Sequence, residues 1–105
     1  MKWKVVALPQ AQVDLLEAAD WYDFTSMGLG VEFIKAILMV FDALAVNPLL
    51  HSKRHPTRNI RWRLAKRFPY RVVYEVFDVE QLVVVFAVIH NARHDKVWQE
   101  RFSIN

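Results

Sequence analysis

The run from Ile60 to Val76, IRWRLAKRFPYRVVYEV, holds the side chains with the clearest chemical potential in this chain. Arg61, Arg63 and Arg71 supply guanidinium groups, which stay protonated at physiological pH and bind a phosphate or carboxylate through paired hydrogen bonds. Between residues 43 and 74 the chain has eight Lys or Arg residues and no Asp or Glu. This segment predicts a surface for a polyanion or an acidic protein partner.

Alternation of residue types predicts that the run forms two strands. Ile60, Trp62 and Leu64 alternate with the first two arginines, and a basic turn at Lys66 and Arg67 leads to a second strand from Tyr70. Successive side chains of a strand point to opposite faces of its sheet. We therefore expect the apolar residues to face a core, and all three arginines to share the outer face as a docking surface.

Few side chains in the chain can transfer a proton near neutral pH. His90 and His94 titrate in that range, and Lys66 does so only if its environment lowers its pKa. His51 and His55 have no ligand-like pairing with other metal-binding residues. The sequence therefore predicts no metal site and no cofactor.

Composition predicts one globular domain over residues 1–105, because 54% of the residues are hydrophobic and 13% are aromatic. Cysteine is absent, which fits a reducing cytoplasm, and no signal peptide or apolar run of about 20 residues predicts membrane association. Charge is divided unequally. Residues 1–50 have three lysines against six acids, a net charge of −3, whereas residues 51–105 have eleven Lys/Arg against five acids, a net charge of +6.

Hydrophobic periodicity predicts the elements that position these residues. A strand over residues 1–8 precedes helices at residues 10–25 and 31–46, and the two strands of the arginine run follow. The strand Leu82–Ile89 has eight consecutive apolar residues, as expected of a strand covered on both faces, and residues 97–102 form a short helical tail. The predicted fold is α+β in β-α-α-β-β-β order, with a helical hairpin on one face of a largely antiparallel sheet.

Several short motifs occur in a recognisable order along nearly the whole chain. They are Pro9 with Ala11 and Asp14-Leu15, Trp21-Tyr22, Gly28-Leu29-Gly30 with Phe33, Asn47-Pro48, Arg67-Phe68-Pro69-Tyr70-Arg71 with Tyr74, and His90 with Arg93 and Trp98. Together they resemble the RelE/ParE superfamily of bacterial type II toxin–antitoxin toxins. The details favour the ParE-like, plasmid-stabilisation branch.

This resemblance implies a small cytoplasmic toxin that inhibits growth and is neutralised by a cognate antitoxin. ParE-like members inhibit DNA gyrase, so the leading hypothesis is a toxin without catalytic activity that binds gyrase. The residues expected to contact the target or the antitoxin are Arg61, Arg63, Lys66, Arg67, Arg71 and Trp98. A third hypothesis is a non-toxic relic that only binds an antitoxin.

RelE-like members of the superfamily cleave mRNA on the ribosome, and the second hypothesis is a metal-independent endonuclease of this kind. Its catalytic residues would be Arg63, Arg71, His90 and Arg93. Arginines would stabilise the phosphate charge, and a histidine would move the proton. However, Trp98 stands where the resemblance places a proton-transferring tyrosine, and indole has no proton to give near neutral pH. Whether the protein is an enzyme stays open at this point.

Overall fold

The computed structural model of the chain describes residues 2–103. Its strands are β1 (Lys4–Ala7), β2 (Ile60–Leu64), β3 (Tyr70–Phe77) and β4 (Leu82–His90). Its helices are α1 (Pro9–Thr25), α2 (Leu29–Val46) and α3 (Lys96–Ser103). The predicted β-α-α-β-β-β order is confirmed, with the short tail forming α3. Proline opens α1 at a position where no N–H donor is needed, and Gly28 supplies the left-handed φ of 87° between the two long helices.

The four strands form one mixed sheet in the order β1-β4-β3-β2. Strand β1 runs parallel to β4, whereas β4 pairs with β3 and β3 with β2 in antiparallel register. The pairing shifts after Val73, which lies opposite Ala87, because Tyr74 then lies opposite Val85 and leaves Phe86 as an extra residue in β4. Apolar residues cover β4 on both faces, as its uninterrupted apolar run predicts.

Helices α1 and α2 cover one face of the sheet, and the main core lies between them. Phe33, Ile37 and Leu44 of α2 pack against Val72 and Tyr74 of β3, and all five are fully buried. Four aromatic rings, those of Tyr22, Phe33, Phe68 and Tyr70, pack edge to face or tilted at the same end of this layer, with centroids 4.8–6.1 Å apart. Burial raises the pKa of both Tyr22 and Tyr70.

A close approach between the two long helices depends on Gly30. Its backbone N–H donates to Asp23 Oδ1 at 2.7 Å, which ties the start of α2 to the last turn of α1. A Cβ on Gly30 would lie 2.5 Å from the carbonyl oxygen of Ala19. Only glycine therefore permits this helix–helix distance without a backbone shift.

Helix α3 covers the opposite face of the sheet and creates a second, smaller core. Trp98 is 1% exposed and packs edge to face against Phe86 and Trp62, with Val73 and Ile89 beneath it. The far end of α3 is held by Arg101, which donates to both carboxylate oxygens of Asp14 at 2.7 and 2.9 Å. These hydrogen bonds raise the pKa of Arg101. The sheet therefore lies between two apolar layers.

Candidate functional site

The three arginines of the central hairpin do not share a face, so the predicted docking surface is wrong in this respect. Arg61 lies opposite Tyr74 and Arg63 opposite Val72 in the β2–β3 register, and both partners belong to the core under the helical hairpin. Arg71 lies opposite Leu64, on the face that α3 covers. Alternation had correctly grouped Arg61 with Arg63, but it had assigned this pair to the wrong side of the sheet.

Arg61 has a structural role in holding the irregular segment before β2. Its Nε donates to Asn59 Oδ1 at 2.9 Å, and its Nη1 donates to the carbonyl oxygens of Leu49, at 3.1 Å, and His51. Tyr74 secures the same segment, because its hydroxyl donates to the Pro48 carbonyl at 2.8 Å. The donors of Arg61 are therefore occupied within the chain.

Arg71 is buried, with 5% of its surface exposed, and its guanidinium joins the end of β4 to the start of α3. Its Nη1 donates to the His90 carbonyl at 3.2 Å, and its Nη2 donates to the Arg93 carbonyl and to Asp95 Oδ1, each at 2.9 Å. The guanidinium carbon lies 5.1 Å from the ring centroid of Trp62. Only Nε of Arg71 has no hydrogen-bond partner within the described residues.

A groove of about 480 Å³ lies beside Arg71. We call it the α3-side groove, and it is lined by Trp62, Leu64, Arg71, Asn91, Arg93, His94 and Asp95. Arg93 and His94 are exposed there. His94 Nδ1 accepts a hydrogen bond from the Lys96 N–H at 3.0 Å, so in the neutral ring the other nitrogen, Nε2, carries the proton and is a donor. The groove thus offers a cation, an imidazole and an aromatic face.

His90 lies on the opposite side of the sheet from Arg71. It pairs with Tyr70, its ring packs edge to face on that tyrosine at 5.2 Å, and its Nδ1 accepts from the Ala92 N–H. Its surroundings are a separate recess of about 220 Å³ that Glu17, Trp21 and Arg93 also line. Of the four residues predicted as catalytic, only Arg93 borders both recesses.

Arg63, Lys66 and Arg67 line a third depression, between α2 and β2, which we call the α2–β2 groove. Its volume is about 520 Å³, and its other lining residues are Glu32, Lys35, Ala36, Met39, Val40, Ala43 and Leu64. Arg67 Nη1 lies 3.3 Å from Glu32 Oε1, and Lys35 Nζ lies 3.7 Å from the other oxygen of that carboxylate. The side chains of Arg63 and Lys66 form no ion pair or hydrogen bond with any of residues 2–103.

His51 lies near the positive charges of Arg63 and Arg54. Burial, together with the charges of Arg63 and Arg54, lowers the pKa of His51. Neutral His51 therefore adds no charge of its own at pH 7. Arg63 of β2 remains available to an external carboxylate or phosphate.

Trp98 was predicted among the residues that contact the target or the antitoxin, and in the folded chain it is buried. Its indole is buried against Phe86 and Trp62, and Nε1 donates to Asp95 Oδ1 at 3.2 Å. It has no surface left for a partner while α3 is in place. The residue covers the sheet instead.

Sequence reasoning missed Asp95, which accepts from both Arg71 and Trp98. One signal was present, because Asp95 is the only acidic residue between Glu80 and Glu100 and lies close to a predicted strand end. Sequence reasoning also missed the α2 side of the α2–β2 groove, where Met39 stays 61% exposed. The available signal was that Met39 is apolar yet lies outside the helical stripe of Ile34, Ile37, Phe41 and Leu44.

No group of three or more His, Cys, Asp or Glu residues within residues 2–103 is arranged to hold a metal ion. In the same part of the chain, no helix is both long and apolar enough to cross a bilayer.

A family model described as the ParE toxin of the type II toxin–antitoxin system parDE matches residues 5–94. No curated protein is similar enough in sequence to be compared with the chain.

Three solved structures illustrate the structural similarity. A chain of the chromosomal ParDE system from Pseudomonas aeruginosa superposes with a TM-score of 0.71 at 13% identity, covering 85% of this chain and 96% of that one. The isolated Escherichia coli RelE toxin gives 0.63 at 15% identity, with coverages of 98% and 99%. A chain of the RelBE2 toxin–antitoxin complex from Mycobacterium tuberculosis gives 0.60 at 21% identity, with coverages of 86% and 99%.

At these identities the superpositions establish the α+β fold, and the family assignment rests on the sequence match. That match covers β1 from its second residue, the other three strands, both long helices and the turn that carries Arg93. The chain therefore belongs to the ParE toxin family of type II toxin–antitoxin systems, within the RelE/ParE superfamily.

Proposed function

We propose that this protein inhibits growth by binding DNA gyrase, without catalytic activity of its own, and that a cognate antitoxin neutralises it in the cytoplasm. The observation that carries this proposal is the burial of Arg71, whose two Nη atoms are occupied by Asp95 and two carbonyls. Arg63 and His90 lie outside the α3-side groove. The side chains predicted for RNA cleavage therefore do not converge on one phosphate, which favours action through protein contacts.

The test is a supercoiling assay with purified gyrase and increasing amounts of the toxin. We expect supercoiling to fall, and we expect the variant Arg93→Ala/His94→Ala to inhibit as well as the wild type, because neither side chain is needed for protein-mediated inhibition. If supercoiling stays unchanged at large molar excess of a folded toxin, gyrase is not the target.

A second candidate function, ribosome-dependent mRNA cleavage, is favoured by the contents of the α3-side groove. There Arg93 would stabilise the charge on the phosphate, an effect of about 2–4 kcal/mol by comparison with oxyanion donors. His94 Nε2 would accept the proton of a ribose 2′-hydroxyl once the ring has moved its own proton to Nδ1, which requires release of the hydrogen bond from the Lys96 N–H. Trp62 borders the same groove and offers a face on which a base can stack. In this mechanism His94 replaces His90 as the proton acceptor.

Primer extension on translated mRNA separates the two functions. Cleavage predicts codon-linked ends in cells that express the wild type, and it predicts that His94→Ala loses both these ends and toxicity. Growth arrest without new mRNA ends favours gyrase. Induction of wild-type protein without any growth arrest would leave only the non-toxic, antitoxin-binding relic.

A further inference from the structure

We infer that the α2–β2 groove binds a small anionic amphiphile, a free ligand with an aliphatic chain and one carboxylate or other acidic head group. The groove has a volume of about 520 Å³, which lies within the range of pockets that hold small ligands. This inference goes beyond the proposed function, because such binding requires neither gyrase nor an antitoxin.

The apolar part of the groove results from the spacing of small residues along α2. Ala36, Val40 and Ala43 follow one another at intervals of four and three residues, so they lie on one face of the helix. The two alanines leave a depression that longer side chains would fill. Met39 and Leu64 complete the apolar lining and are 61% and 58% exposed, so an aliphatic ligand would remove both from water.

The charged part of the groove contains cations that no acid of the chain neutralises. Glu32 already contacts Arg67 at 3.3 Å and Lys35 at 3.7 Å. Arg63 and Lys66 are the two cations whose side chains form no ion pair or hydrogen bond within residues 2–103. Four cations and one acid give the lining a net charge of +3. An acidic head group would therefore meet donors that are not already occupied.

The residue types that line the groove limit the class of ligand. The ten described residues of the lining include no aromatic ring on which a base or sugar could stack, and no Ser, Thr, Asn or Gln side chain to bind hydroxyl groups. Nucleotides and carbohydrates therefore fit poorly, whereas an alkyl chain needs only apolar contact. The part of α2 that lines the groove, from Glu32 to Ala43, is about 16 Å long, which suits a chain of medium length.

Charge and geometry also argue against two other occupants. A second copy of this chain would bring another groove of net charge +3 to this one, and the two would repel each other. A lipid in a bilayer keeps its chains in the membrane and offers only its head group, so it would leave the apolar lining unused. A free amphiphile uses both parts of the lining at once.

The experiment is a titration of the full-length toxin, with isotope-labelled methionine methyl groups, by sodium dodecanoate below its micelle-forming concentration. We expect saturable binding and a shift of the Met39 methyl resonance. Met27 is the internal control, because it is 96% exposed in the turn between α1 and α2, outside the groove. Absence of binding, or equal shifts of both methyl groups through adsorption to any exposed apolar side chain, would overturn the inference.

Related ligands test the head group and the chain separately. Dodecyltrimethylammonium, with the same chain and a cationic head, should bind about tenfold more weakly or worse. Octanoate should lose at least as much, because each methylene removed from apolar contact weakens binding about fourfold. Equal binding of the anionic and cationic ligands would refute the role of the cations. Vesicles of phosphatidylglycerol that shift Met39 when dodecanoate does not would assign the groove to a membrane surface and would also overturn the inference.

Variants of the toxin locate the binding in this groove. Arg63→Gln/Lys66→Gln removes two cations that bond to no other side chain, so the toxin should fold and bind dodecanoate about tenfold more weakly. Ala36→Leu fills the depression and should lose a similar factor, whereas Ala92→Leu, in the exposed turn after β4, should bind normally. If Ala36→Leu does not fold, the double variant decides, and wild-type affinity in that variant would refute the assignment.

Discussion

Replacing Arg71 with methionine tests whether this arginine is structural or is a reactive group. Methionine keeps most of the side-chain volume, but Asp95 and the His90 and Arg93 carbonyls lose their shared donor. Hydrogen bonds from a charged group contribute about 1.5–3 kcal/mol each when the partners stay buried. Asp95 is 39% exposed and regains water in the variant, so we expect a total loss of about 3 kcal/mol.

Urea denaturation of the purified toxin measures this loss, and a thermal scan should show a Tm lower by about 15 °C for a domain of this size. Arg93→Met is the matched control. It removes an exposed guanidinium that has no side-chain partner within the described residues, so its effect should stay within about 0.5 kcal/mol. A double-mutant cycle with Asp95→Asn should give a coupling energy of about 1 kcal/mol or more.

Two results would refute this reasoning. The first is a loss for Arg71→Met no larger than that for Arg93→Met, which would mean that Arg71 is solvated rather than buried. The second is loss of toxicity in Arg71→Met at a temperature where circular dichroism shows the variant to be fully folded. That second result would assign Arg71 to the chemistry of the toxin and would favour mRNA cleavage.

Three further predictions concern the packing of the fold. Trp98→Ala should lower the free energy of unfolding by about 3–5 kcal/mol, measured by urea denaturation, with Trp98→Phe losing less because it fills most of the cavity. Burial raises the pKa of Tyr74 to about 12, so the unfolded chain loses this proton near pH 10 while the folded chain keeps it. Stability should therefore fall by about 2–3 kcal/mol as pH rises from 10 to 12, and Tyr74→Phe should flatten this part of the profile while losing the hydrogen bond to Pro48. Gly30→Ala should destabilise the helical hairpin by about 1–3 kcal/mol, because its Cβ meets the Ala19 carbonyl, and a Tm equal to the wild type would contradict this.

The sequence predicted which residue types form the candidate site, but not how these residues are arranged in space. The basic character of residues 51–71, the basic turn at Lys66 and Arg67, and the absence of acids nearby were all evident from the chain alone. The chain alone did not show that Arg63 and Arg71 lie on opposite faces of the sheet. This arrangement depends on which face of β2 the helices cover, and alternation states only which residues lie together.

Hydrophobic periodicity by itself determined the order of the helices and strands and most of their first and last residues. An amphipathic helix and a buried strand each require a characteristic spacing of apolar residues. The motif order also determined the family. Only the tertiary structure decided the roles of the arginines. Helix α3 covers the second face of the sheet and brings Asp95 and two carbonyls to Arg71, and these contacts join residues about twenty positions apart. A local sequence pattern cannot predict such contacts, because they form only when α3 packs on the sheet.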